Sequence, residues 1–251
     1  MDIALIGIVF LAFVVSGGVK GAVGFGMPTV AVALLSTAFG VREAIPLVAL
    51  PSLVANIWQI DFGKGLLPLL RRFWSLNVAI AAGIWLGTYF MTAIDADWLS
   101  TGLGTLLVLY GILGIKTLRV QFGRTAERYL SPVMGALSGI VAGLSGSIIV
   151  PLVFYLQALS LGRDEFVRAV SVALLTAAGF WTAALASEGL LTWHHALISL
   201  AALIPASLGQ WGGSRLRRRM DQDRFRTWIF IAMLLMGANL LRKGLLPLLG
   251  L

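Results

Sequence analysis

The 251-residue sequence has no cysteine, only two histidines and few charged residues. The lack of cysteine excludes disulfides, thiolate catalysis and Cys-ligated metal, and His194 and His195 alone leave little imidazole for a metal site. We therefore expect no metal and no other cofactor. Charged residues make up 12% of the chain, which is about half of their share in a soluble domain. This scarcity excludes a soluble globular protein, a disordered chain and a nucleic-acid-binding domain.

Apolar residues, in contrast, make up 59% of the sequence, and the mean hydropathy is +0.92. Because about 20 apolar residues cross the hydrocarbon core of a bilayer as a helix, six apolar runs of roughly that length predict transmembrane helices. Two further apolar segments, 3–39 and 129–161, are longer, and glycine and serine interrupt each of them near its middle. The start, Met1-Asp2-Ile3, lacks the basic region of a signal peptide, so we expect it to be retained.

Basic residues are concentrated in three of the loops that join these apolar segments. Loops 61–72, 116–128 and 215–226 hold most of the lysines and arginines, whereas loops 95–97 and 188–195 hold none. The positive-inside rule places the three basic loops in the cytoplasm. The net charge of +8 is therefore interpreted as setting orientation in the membrane, not as binding nucleic acid.

This topology gives the two halves of the chain opposite orientations, because segment 3–39 then begins and ends outside and segment 129–161 begins and ends inside. A repeat supports the division, since the glycine-rich stretch 16–24 aligns with 138–146. We predict an all-α polytopic membrane protein of two inverted repeats, each a re-entrant or broken glycine-rich segment plus three transmembrane helices, an organisation typical of secondary transporters. The first repeat, 1–128, contains segment 3–39 and helices 44–60, 73–94 and 98–115. The second repeat, 129–251, contains segment 129–161 and helices 169–187, 196–213 and 227–241.

Two broken helices would offer an anion-binding site. A break leaves backbone N–H groups and positive dipole ends at helix N-termini, which suit an anion, and glycine permits the dihedral angles that a break needs. The alternative is that the glycines let helices pack closely, and the four-residue spacing of Gly17 and Gly21, and of Gly139 and Gly143, fits that alternative. We favour a site because the two clusters occupy corresponding repeat positions.

Lys20 is the charged residue placed deepest in apolar sequence, and intramembrane charges are costly and usually functional. A bound anion would balance it; the alternative is that segment 3–39 crosses fully and Lys20 lies at the cytoplasmic surface. Asn, Gln and Ser side chains would hold oxyanion oxygens, with interhelical hydrogen bonds as their alternative. Trp58 and Trp181 would line a cavity, with packing as the alternative. The predicted substrate-binding residues are Lys20, Gly21, Gly24, Gly26, Asn56, Gln59, Ser145, Gly146, Ser147 and Gln157.

Three stretches resemble the sulfite exporter TauE/SafE family: 17–29, 51–59, and 135–151 together with 155–159. The resemblance extends along essentially the whole chain. It implies a bacterial inner-membrane permease for a sulfur-containing anion, such as sulfite, thiosulfate or an organic sulfonate, whose transport site is formed by the two breaks. The second cluster departs from the glycine-richer form common in the family, which leaves more side-chain polarity there.

The predicted mechanism is alternating access around an oxyanion held by the two breaks. An anion channel or a carboxylate transporter on the same scaffold, and a membrane accessory subunit, are the alternatives. No catalytic pair, nucleophile motif or intramembrane carboxylate stands out, so we expect no enzyme. The expected partners are the lipid bilayer and a small anion but no nucleic acid, and a homodimer is left open.

Overall fold

A computed structural model describes residues 3–60, 66–115, 122–217 and 222–248. These residues form eleven α-helices and no strand, which confirms the all-α prediction. The helices are α1 (Ile3–Val23), α2 (Met27–Phe39), α3 (Val41–Ile57), α4 (Leu66–Arg72), α5 (Trp74–Ala93), α6 (Ala96–Ile115), α7 (Arg124–Ser145), α8 (Ile149–Ala158), α9 (Arg163–Ser187), α10 (Trp193–Arg217) and α11 (Gln222–Leu248).

Among the described residues, four helical stretches are long and apolar enough to cross a membrane: Leu5–Val23, Trp74–Ala93, Asp164–Ser187 and Trp193–Leu216. The helix α2 and the stretch Ala96–Leu109 are apolar but shorter. Large apolar side chains stand exposed on several helices, among them Leu11, Ile204 and Leu235. Apolar surface of this extent suits contact with lipid, as expected of a multi-pass membrane protein.

Each of the six predicted transmembrane runs corresponds to one helix, but the helix ends differ. The helix α9 begins at Arg163, six residues before the predicted start, because acidic residues in its first turn, Asp164 and Glu165, are favoured by the helix dipole. The short helix α4 was not predicted and lies within the basic loop 61–72. Parts of all three basic loops, 61–65, 116–121 and 218–221, lie outside the described residues, so the cytoplasmic placement of these loops stays a prediction.

Both predicted broken segments are pairs of helices. Segment 3–39 contains α1 and α2. Segment 129–161 contains α8 and most of α7, which begins at Arg124, within the predicted basic loop 116–128. In both segments the interruption lies at the C-terminal end of the glycine-rich stretch, 16–24 or 138–146. The reason is backbone conformation: of these glycines, those with left-handed φ values are Gly24 (95°) and Gly26 (93°) in the first segment and Gly146 (72°) in the second.

The helices form two compact units, each of which combines parts of both predicted repeats. Unit 1 consists of Met1–Pro51, Ala93–Thr117 and Leu191–Leu251, and unit 2 consists of Ser52–Thr92 and Leu118–Leu190. Unit 1 contains the first break and unit 2 contains the second. The inverted orientation of repeats 1–128 and 129–251 stays a prediction.

In unit 1, α1 packs closely on α10 through glycines. A Cβ atom added at Gly17 or Gly21 would overlap the carbonyl oxygens of Ala206 and Gln210, respectively. From the other side, Gly209 and Gly213 of α10 meet the carbonyl groups of Val14 and Gly18 in the same way. Small residues on both helices therefore bring the two backbones into direct contact.

Unit 2 contains a similar contact between α5 and α7. A Cβ atom added at Gly139 or Gly143 of α7 would overlap the carbonyl oxygen of Ile80 or Ile84, and one added at Gly87 of α5 would overlap that of Ile140. Close helix packing, the alternative left open for the glycine clusters, is therefore what the structure shows for Gly17, Gly21, Gly139 and Gly143.

Candidate functional site

The first break lies in unit 1 directly after Lys20. This residue stands in the last turn of α1 with only 2% of its surface exposed, and its carbonyl accepts a hydrogen bond from the Gly24 N–H group at 2.7 Å. A cation in the last turn of a helix is stabilised by the negative end of the helix dipole. Lys20 is thus buried within the protein near the first break, and its position inside the membrane stays a prediction.

Beyond this break, α2 begins at Met27, with Gly26 as its N-cap in the left-handed conformation. No side chain among the described residues caps this terminus, and Pro28 has no N–H group. The first turn of α2 is buried, with Met27 fully enclosed. The positive end of the α2 dipole thus follows Lys20 by seven residues, and both features favour an anion.

The second break, in unit 2, contains the buried serines Ser145 and Ser147. Ser145 ends α7, where its Oγ donates to the Val141 carbonyl at 2.7 Å and accepts from the Ser147 N–H group at 3.3 Å. Gly146 closes the helix through its N–H bond to the Ala142 carbonyl at 2.7 Å. The helix α8 then begins at Ile149, after the N-cap Ile148, without a capping side chain in the described residues. Ser145 therefore holds the turn in shape.

Trp181 of α9 packs against the second break. Its ring edge lies so close to Gly146 that an added Cβ atom would stand 2.6 Å from Cη2 and 2.7 Å from Cζ2. The side chain is 2% exposed, and its Nε1 atom has no hydrogen-bond partner among the described residues. Trp58, by contrast, is 68% exposed. Of the two tryptophans that the sequence suggested as cavity-lining, Trp181 is the one beside a break.

The remaining predicted site residues are Asn56, Gln59 and Gln157 of unit 2. Asn56 is buried on α3, and its Nδ2 donates to the Leu174 carbonyl of α9 at 3.3 Å, which is an interhelical hydrogen bond of the kind left open for it. Gln59 lies beyond the end of α3, and its N–H group donates to the Asn56 carbonyl at 3.2 Å. Gln157 is exposed near the far end of α8, about 12 Å along the helix axis from Ile149. Lys20, Gly21, Gly24 and Gly26 belong to unit 1, and the other six predicted residues belong to unit 2.

An ionic cluster in unit 2 was not predicted from the sequence. The Arg72 guanidinium binds both carboxylate oxygens of Glu127 at 2.7 and 2.8 Å, and its Nη1 atom contacts Glu165 at 2.6 Å. The hydrogen bonds to Glu127, followed by the charges of both carboxylates, raise the pKa of Arg72 above its usual value. Arg72 was interpreted only as a loop charge that sets orientation, and the structure adds this clamp between α4, α7 and α9.

Unit 1 has a related but weaker pair. The Nε2 atom of His195 lies 3.1 Å from a carboxylate oxygen of Glu43, and its Nδ1 atom lies 2.9 Å from the Thr192 hydroxyl. Glu43 and Glu165 each follow the aligned glycines Gly40 and Gly162 by three residues, so the two acids occupy matching positions of the sequence repeat. Within the described residues, no group of three or more His, Cys, Asp or Glu side chains could hold a metal ion.

Long apolar helices, exposed apolar surface and two glycine-hinged breaks define a polytopic helical membrane protein. The sequence profile of the sulfite exporter TauE/SafE family matches residues 9–240. The chain therefore belongs to the sulfite exporter TauE/SafE family, a family of membrane transporters. No curated protein and no solved structure matches the chain.

Proposed function

We propose that the chain is a secondary transporter that moves a sulfur-containing oxyanion, such as sulfite, thiosulfate or an organic sulfonate, by alternating access. Its membership of a transporter family supports the transport role. We place it in a bacterial inner membrane with loops 61–72, 116–128 and 215–226 in the cytoplasm, following the positive-inside rule.

The observation that carries the proposed substrate class is the burial of Lys20 at the first break. A buried lysine side chain and the positive end of α2 are both features that favour an anion. A small oxyanion has several oxygens that can accept N–H groups near Gly24, Gly26 and Met27. Lys20 is therefore proposed as the residue that recognises the substrate's charge.

The second break is proposed to recognise the oxygens of the substrate without adding charge. Backbone N–H groups at the start of α8, with Ser145, Gly146 and Ser147 shaping the turn, are donors of the kind that bind oxyanions at helix N-termini. A break inside a membrane is tolerated only where protein or a polar cavity surrounds it, and Ser145 and Ser147 are both buried. Asn56, Gln59 and Gln157 are assigned lesser roles, because Asn56 makes an interhelical hydrogen bond and Gln157 is exposed near the far end of α8.

The deciding experiment measures uptake of radiolabelled sulfite into proteoliposomes made with wild type and with Lys20→Ala. A hydrogen bond to a charged group is worth about 1.5–3 kcal/mol, so we expect sulfite flux to fall roughly tenfold or more. Lys243→Ala is the matched control, because Lys243 is an exposed lysine of the same unit. Lys20→Arg keeps the charge and should retain part of the flux.

Three outcomes would contradict parts of the proposal. Unchanged flux in correctly inserted Lys20→Ala would remove Lys20 from the site. Failure of unlabelled sulfite to drive counterflow of labelled sulfite would favour a channel over a carrier. Inhibition by acetate or lactate, with no response to sulfite, thiosulfate or methanesulfonate, would favour a carboxylate transporter.

A further inference from the structure

The helix α10 has two opposite faces. One face is buried and packs on α1 through Ala206, Gly209 and Gly213. The other face carries residues that recur every three or four positions, which places them on one side of a helix. All of them are exposed, and together they are called the α10 stripe: Trp193, Leu197, Leu200, Ile204, Leu208, Trp211 and Arg215. The stripe belongs entirely to unit 1.

Trp193 and Trp211 stand at the two ends of the apolar part of the α10 stripe. They are 18 positions apart, which is five helical turns and about 27 Å along the helix axis. The hydrocarbon core of a bilayer is about 30 Å thick, and tryptophan is enriched at both of its interfaces with water. The stripe therefore has the length and the end residues of a surface that faces lipid.

Arg215 extends the α10 stripe by one turn beyond Trp211. Its Cζ atom lies 3.9 Å from the centroid of the Trp211 ring, which is the arrangement of a cation–π contact. Contact with the face of a ring uses none of the five N–H donors of a guanidinium. The ring also restricts the side chain before a ligand arrives, so that less freedom is lost on binding.

The two ends of the α10 stripe differ in charge. Residues 215–226 contain six arginines and two aspartates, whereas residues 188–195 contain no lysine or arginine. A basic residue just beyond the hydrocarbon core attracts anionic lipid, and the planar fork of arginine matches two oxygens of a phosphate group. The Arg215 end of the stripe is therefore complementary to an anionic headgroup.

The charge of Arg215 also favours a lipid over a second copy of the chain as the occupant. Two copies in one bilayer share the same orientation, so a two-fold axis along the membrane normal would bring the stripe of one copy against the stripe of the other. Each Arg215 would then lie beside its equivalent, and like charges in contact oppose association. The phosphate of an anionic lipid instead neutralises each Arg215 separately.

We propose that the α10 stripe binds an anionic phospholipid whose acyl chain lies along Leu200, Ile204 and Leu208 and whose phosphate pairs with Arg215 beside Trp211. This site lies on the face of α10 that points away from α1, so it is separate from the proposed transport site and does not depend on which anion is transported.

The test measures binding of individual lipids by native mass spectrometry. The protein is mixed with equal amounts of phosphatidylglycerol and phosphatidylcholine that have the same acyl chains, and wild type should bind phosphatidylglycerol in preference. Arg215→Gln should weaken binding of the first phosphatidylglycerol molecule about fivefold, the value of one basic residue near a membrane surface. Binding of phosphatidylcholine should stay unchanged.

Matched variants separate this site from general electrostatic attraction. Arg242→Gln removes an exposed arginine of the same unit, one that contacts Asn239, and should leave phosphatidylglycerol binding unchanged. Arg215→Lys keeps the charge but loses the fork and should retain part of the binding. Trp211→Leu should weaken binding about twofold through loss of the cation–π contact, whereas Trp193→Leu, at the other end of the stripe, should not.

Four outcomes would overturn the proposal. They are equal affinity of wild type for the two lipids, an unchanged lipid preference in Arg215→Gln, an equal loss in Arg242→Gln, and displacement of phosphatidylglycerol by inorganic phosphate at equal concentration, which would assign Arg215 to a soluble anion. A further test uses Ile204→Cys, because the chain has no other cysteine. Rapid disulfide formation between two such chains in membranes would show that a second copy covers the stripe; its absence is the expected result.

Discussion

The two breaks share a scaffold but differ in the chemistry they present. Each follows a helix that packs through glycines onto another helix, α1 on α10 in unit 1 and α7 on α5 in unit 2. The repeat alignment places Lys20 opposite Ala142, so the first break has a buried cation where the second has a methyl group. The second break instead has serines and the indole of Trp181. The two breaks therefore differ in charge although each adjoins a glycine-packed helix.

The breaks also differ in how much room surrounds their glycines, and this yields the largest predicted effect. Gly146 has a φ of 72° and its missing Cβ position is filled by the Trp181 ring, whereas Gly24 has a φ of 95° and open space around it. Gly146→Ala should lower the free energy of unfolding by about 3 kcal/mol, because left-handed strain of about 1–2 kcal/mol adds to overpacking against the ring. Gly24→Ala should lower it only by the strain.

Thermal unfolding in detergent measures both variants, and the double variant Gly146→Ala with Trp181→Leu tests the cause. Relief of the steric overlap should make the double variant more stable than the sum of its single changes predicts. Equal losses for Gly24→Ala and Gly146→Ala would show that the Trp181 ring does not restrict the second break.

The next prediction tests whether the two glycine interfaces are equivalent. Gly17→Ala and Gly139→Ala each place a methyl group on a backbone carbonyl of the facing helix, so each should lower stability by about 1–3 kcal/mol. Gly7→Ala and Gly179→Ala are the matched controls in units 1 and 2, because nothing lies within 4 Å of the added atom. A melting temperature that falls for one interface and not for the other would contradict the equivalence.

The sequence was sufficient for the helical class and the two breaks, because length, apolar composition and glycine content are local properties. It left open whether Gly17, Gly21, Gly139 and Gly143 are hinges or packing contacts, because only a facing helix decides between the two. It also could not place Trp181 against Gly146 or pair Arg72 with Glu165. Their contacts with Gly146 and Glu165 join residues 35 and 93 positions apart, and only tertiary packing brings such pairs together.

The ionic pairs extend the comparison beyond the breaks. Arg72 makes a bidentate contact with a largely buried Glu127 and a further contact with Glu165. Glu127→Gln removes the charge but keeps the shape, and it should lower stability by about 1–2 kcal/mol, because bidentate charge-assisted bonds are the stronger kind. The measurement is thermal unfolding at low and high salt. A loss of stability that disappears fully in 1 M NaCl would show that the contact behaves as a solvent-exposed pair.

The smallest effect is expected at the matching pair of unit 1. Glu43 is 65% exposed and meets the His195 imidazole through one contact of 3.1 Å, and exposed pairs contribute about 0–1 kcal/mol. Glu43→Gln should therefore change the melting temperature far less than Glu127→Gln does. Because Glu43 aligns with Glu165 in the repeat, Glu165→Gln is the comparison that holds repeat position constant. Equal losses of stability in Glu43→Gln and Glu165→Gln would show that repeat position determines the strength of these pairs. A smaller loss in Glu43→Gln would show that the partner determines it, because Arg72, the partner of Glu165, has a permanent charge and several donors.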